Sequence, residues 1–70
     1  MKTGQEARKA REVLGMNQTE FWSRVKVNQS AASRYESGRN MPAAVQVLLV
    51  LAYGTDSQAQ KTLAALRKQK

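Results

Sequence analysis

The 70-residue chain contains no cysteine and no histidine. The first absence excludes disulfide staples, and the two together exclude the common zinc sites. Without histidine the usual general base near neutral pH is missing too. A cysteine-free composition suits a reducing cytoplasm. Aromatics are limited to Phe21, Trp22, Tyr35 and Tyr53, too few for the stacking platform typical of single-strand binders. No apolar run approaches the roughly 20 residues needed to span a bilayer. The segment from Met1 to Arg8 turns polar before a signal-peptide core could form. There is no glycine-rich phosphate loop, and the carboxylates Glu6, Glu12, Glu20, Glu36 and Asp56 are assignable to caps, surface or paired charges. No enzymatic activity, metal or cofactor is therefore expected. What is abundant is positive charge: twelve Lys and Arg against five Asp and Glu, a formal net charge of +7. That balance points to an acidic partner, with nucleic acid ahead of an anionic membrane, and to a cytoplasmic, nucleoid-associated protein.

The length allows one domain over residues 1–70. Apolar periodicity is helical throughout and predicts an all-α fold of five helices. Thr3 and Glu6 read as a capping box opening a first helix, which buries Ala7, Ala10, Val13 and Leu14 and stops at Gly15. Asn17 and Glu20 repeat the signal, with Met16 and Phe21 as a hydrophobic staple, for a second helix over about 18–25. Lys26 and Val27 form a tight connection, Asn28 caps a third helix, and Gly38 closes it. Pro42 suits the first turn of a fourth helix, with Val45, Leu48, Leu49 and Ala52 as its core stripe and Gly54 at its end. Thr55 or Asp56 starts a fifth, with Ala59, Leu63 and Leu66 inward and Lys61, Arg67, Lys68 and Lys70 outward.

Residues 17 to about 38 thus read as a short capped helix, a turn and a second short capped helix, the layout of a helix-turn-helix. At about 100° per residue, Gln29, Ser30, Ser33 and Arg34 share one face, opposite Ala31, Ala32 and Tyr35, with Glu36 at the edge of that buried side. Gln can pair with adenine, Arg with guanine, and Ser with base edges or phosphate. The face carries no acid, as contact with phosphates requires. It is either a groove-reading surface or a merely polar one.

Leu14-Gly15-Met16-Asn17-Gln18-Thr19-Glu20-Phe21 and Ser33-Arg34-Tyr35-Glu36-Ser37-Gly38-Arg39, with Pro42 following, resemble the helix-turn-helix signatures of the phage-repressor/Cro-like (XRE) family. The resemblance spans about residues 4–53. It implies a compact five-helix, lambda-repressor-like DNA-binding domain acting as a dimer on a palindromic operator. By position, Gln29, Ser30 and Arg34 would face bases. Gln18 would touch phosphate and brace Gln29, while Asn28, Arg39 and Asn40 would hold the DNA backbone. Arg11 would pair with Glu36.

Three positions depart from that pattern. Trp22 stands where the family has Ala, and Ala32 where it has Ile or Val. Either the indole fills the space vacated at Ala32, or it lies on the surface or in a dimer contact. Lys26 stands where the turn usually has Gly, and a left-handed backbone there would cost roughly 1 kcal/mol.

The fourth helix leaves Val47, Val50 and Leu51 pointing away from its core stripe, to be covered by the fifth helix or by a second copy of the chain. Residues 1–40 hold eight basic and four acidic side chains, residues 41–60 only Asp56, and residues 61–70 four basic ones. Positive charge is therefore absent from the helix that a second copy would cover. The expected function is a sequence-specific regulator of transcription, a repressor acting by operator occlusion on double-stranded DNA. The alternative is a protein-interaction module, antitoxin-like or anti-activator, using the apolar surface of helices 4 and 5.

Overall fold

The computed structural model describes residues 2–68, which form five helices: α1 (Gly4–Val13), α2 (Gln18–Ser23), α3 (Gln29–Glu36), α4 (Ala43–Tyr53) and α5 (Asp56–Lys68). No strand occurs among the described residues. Lys70, expected on the outer face of the last helix, lies outside them. Local chemistry explains the starts. Reciprocal capping boxes join Thr3 to Glu6 and Asn17 to Glu20, and Asn28 Oδ1 accepts the Ala31 N–H at 2.8 Å. Thr55 caps α5, its Oγ1 accepting from the Gln58 N–H at 3.1 Å.

The stops share one bond pattern. After α1, the Gly15 N–H donates to the Glu12 carbonyl and the Met16 N–H to that of Arg11; after α3, Gly38 and Arg39 repeat this on Tyr35 and Arg34. The glycines take the left-handed φ values of +69° and +111° that this closure needs. After α2, Lys26 donates to Ser23 and Val27 to Trp22, with Lys26 at φ +64°. The turn thus keeps the left-handed geometry despite its lysine, and α2 closes earlier than its apolar pattern predicts.

Ala7, Phe21, Trp22, Val25, Ala32, Met41 and Leu49 form the buried core. Trp22 and Ala32 are both fully buried, so the indole is filler and not a surface group. Tyr53 fastens α4 to α2: its ring stacks on Phe21 at 4.1 Å, and its hydroxyl donates to the Phe21 carbonyl at 2.6 Å.

Several apolar residues lie elsewhere than their periodicity predicts. Val13, at 84% exposure, and Leu14 are exposed because α1 packs on α2 and α3 through Ala7 and Ala10. On α4 the core direction runs through Leu49, flanked by Val45 and Tyr53, which leaves Leu48 and Ala52 exposed. Val47, Val50 and Leu51 are half-buried, and α5 is the element packed along α4. α5 buries no residue fully; Leu63 and Leu66 share the stripe of half-buried Ala59 and Thr62 yet remain exposed. One neighbouring helix cannot cover that stripe.

Candidate nucleic-acid interface

α3 is held by its inner side and presents its outer one. Ala32 is buried while Ala31 and Tyr35 are half-buried; Gln29, Ser30, Ser33 and Arg34 are all exposed. Asn28 fixes the start of α3, and its Oδ1 is spent on that cap, leaving the amide nitrogen available. Gln18, at the start of α2, reaches α3 through its Oε1, which accepts from Ser33 Oγ at 3.4 Å. The bracing contact therefore runs to Ser33, where Gln29 was expected. Beyond α3, Arg34 and Arg39 flank a shallow concavity of about 350 Å³ that Ser33, Ser37 and Gly38 complete. Neither arginine pairs with an acid among the described residues. Arg39 and Asn40 also line a second cleft with Lys2, Thr3 and Gln5 at the amino end of α1. Guanidinium groups and amides around a concavity free of carboxylates can hold phosphate oxygens.

Behind this surface lies an ionic knot. Arg11 donates Nε to Glu36 Oε2 at 3.0 Å and Nη2 to Oε1 at 2.9 Å, while its Nη1 donates to the Met16 carbonyl at 3.2 Å. The Trp22 indole adds a third donor to that carboxylate, Nε1 to Oε2 at 2.7 Å. Burial pushes the Glu36 carboxyl up, but hydrogen bonds from Arg11, Trp22 and Gln18, with the charge of Arg11, outweigh it and hold Glu36 below the ordinary carboxylate range. The hydrogen bond to Glu36, opposed by burial and reinforced by the negative charges of Glu36 and Glu12, raises the Arg11 guanidinium in turn. No buried side-chain nitrogen or oxygen lacks a partner among the described residues.

Two contributors lay beyond sequence reasoning. A buried indole needs an acceptor, and Glu36 at the edge of the buried face was the available one, but their meeting depends on how α2 crosses α3. Gly4 is the second: a Cβ on it would lie 1.7 Å from the carbonyl oxygen of Tyr35, so α1 presses its first residue directly on the end of α3. Nothing local marks that contact.

Among the described residues no group of three or more His, Cys, Asp or Glu could hold a metal ion, and no helix is long and apolar enough to cross a membrane. No curated protein and no solved structure matches the chain. Residues 8–52, a span from mid-α1 to the last turn of α4 that contains α2, α3, Arg39 and Asn40, match the model of the RsaL-like HTH domain. The chain belongs to that family, and its central helices are a helix-turn-helix of a DNA-binding protein.

Proposed function

We propose that this protein is a sequence-specific regulator of transcription that inserts α3 into the major groove of double-stranded DNA and represses by occluding a promoter. The observation that carries the reading is the exposed, acid-free face of α3, made of Gln29, Ser30, Ser33 and Arg34. Gln29 and Arg34 offer bidentate partners for adenine and guanine, and the two serines add shorter contacts. Gln18, Arg39, Asn40 and the free amide of Asn28 hold the DNA backbone and set register. The motifs around α2 and α3 support kinship with Cro-like repressors. A second copy of the chain completes the DNA-bound form on a palindromic operator, seated on the α4–α5 face. There Val47, Val50 and Leu51 are half-covered while Leu48, Leu63 and Leu66 remain exposed. The same exposed leucines support a second reading, in which this face binds another protein.

Selection of bound duplexes from a random pool tests the proposal. A preferred sequence, repeated as two inverted half-sites about 10 base pairs apart, is the expected outcome. Arg34→Ala should cost about 1–3 kcal/mol on the selected duplex and relax preference at one base pair. Arg39→Ala should weaken all duplexes alike. Unchanged sequence preference in Arg34→Ala would remove α3 as the reading helix. A flat selection alongside recovery of a protein partner favours the second reading.

A further inference from the structure

The carboxylate that ends α3 is gripped from two directions. Arg11 approaches from α1 with two nitrogens, and the Trp22 indole N–H approaches from α2 at 2.7 Å. The Glu36 side chain is only 6% exposed and Trp22 is fully buried, so water does not substitute for either donor. Filling the core asks only for an apolar bicyclic ring of that size; naphthyl and benzothienyl groups would also serve. None of them places an N–H on Oε2. Arg11 holds the carboxylate from α1, and the indole N–H adds the closest grip from α2, beside the longer Gln18–Ser33 contact at 3.4 Å, so it bears directly on the angle between α2 and α3.

The lever makes that angle matter. Glu36 and Gln29 lie seven steps apart at opposite ends of α3, or ~10 Å at 1.5 Å per residue. A tilt of ~5° about Glu36 therefore moves Gln29 by ~1 Å, more than the ~0.5 Å spread of good hydrogen-bond lengths. We propose that Trp22 is a positioning residue for DNA reading, its indole N–H locking Glu36 so that α3 meets the bases at one angle. This rests on α3 being the reading helix, and it assigns Trp22 a role separate from filling the core.

Trp22 is the chain's single tryptophan, so growth of a tryptophan auxotroph on β-(3-benzothienyl)alanine replaces it alone with a sulfur isostere that lacks the N–H. In the DNA-free protein, residual dipolar couplings should show α3 turned by several degrees relative to α2. The Glu36 carboxyl, faced by Arg11 from α1 and by uncharged Trp22 and Gln18 from α2, should titrate at higher pH. On DNA, the ratio of affinity for the selected duplex to that for random duplex should fall about tenfold, the scale of one misaligned base contact. Affinity for random duplex and its salt dependence should stay as they were. A role in packing alone predicts lower thermal stability with helix angle and ratio unchanged, and that result overturns the proposal. If the natural protein shows no duplex preference, the base-reading assignment fails, while the helix angle still decides whether Trp22 positions α3.

Discussion

Lys26 occupies a backbone position that glycine fills at the ends of α1 and α3, with the same pair of closing hydrogen bonds and φ at +64°. A side chain in that region costs roughly 1–2 kcal/mol. Glycine would relieve the strain but loosen the unfolded chain, which costs about 0.4–1 kcal/mol. The first effect wins, so Lys26→Gly should stabilise the fold by about 0.5–1 kcal/mol, read as a rise of a few degrees in melting temperature; a fall would mean that the lysine is not strained. Glu36 sets a limit of a different kind. Its carboxyl is held below the ordinary carboxylate range, burial being outweighed by the hydrogen bonds of Arg11 and Trp22. A depressed carboxylate contributes stability that is complete above the unfolded value and is lost as pH falls through the folded one. Thermal melts should therefore be insensitive to Glu36 from neutrality down to about pH 5 and decline below it. Carboxyl chemical shifts that place the Glu36 midpoint above the ordinary range would contradict this.

At the scale of helices, Gly4 opposes propensity to contact. Alanine is the better helix former by up to ~1 kcal/mol, yet its Cβ would collide with the Tyr35 carbonyl at 1.7 Å and its carbon at 2.3 Å. Those atoms are backbone at the end of α3, so relief requires α1 to back away from it. Gly4→Ala should cost about 1–3 kcal/mol, the usual range for overpacking, and a denaturant midpoint equal to or above the parent's would show that α1 gives way freely. The contrast between caps and contacts explains what could be read in advance. Thr3 with Glu6, Asn17 with Glu20, Asn28, Gly15 and Gly38 act over three or four residues, and the helices begin and end at them. The exposed face of α3 was legible for the same reason, because Gln29 to Arg34 lie within two turns. Periodicity names the apolar side of a helix but not what covers it, so it places Val13, Leu14, Leu48, Leu63 and Leu66 in an interior too small to hold them. The meetings of Trp22 with Glu36 and of Gly4 with Tyr35 join separate helices, and no short-range pattern encodes them.

For the molecule as a whole, charge and shape separate two surfaces. Cations bound the α3 concavity at Arg34 and Arg39, whereas α4 carries none and, with α5, leaves Leu48, Leu63 and Leu66 uncovered. A chain of 70 residues buries only ~60% of its unfolded surface, so an apolar face left over after α5 docks is a substantial part of what the fold could still gain. A twofold pair joined through that face would present two α3 helices to one side of the DNA. Salt dependence can count the copies. The logarithm of affinity falls with that of salt by about 0.9 for each phosphate neutralised by a cation. Neutral Asn40 and Gln18 add nothing to that slope, but Arg39 adds one such increment for every copy bound. Arg39→Ala should therefore flatten the slope by about 1.8 if two copies occupy the operator and by about 0.9 if one does, with Asn40→Ala leaving it unchanged in either case. The expected decrement is the larger one, and a loss of only one increment on the selected duplex would mean that a single chain reads it.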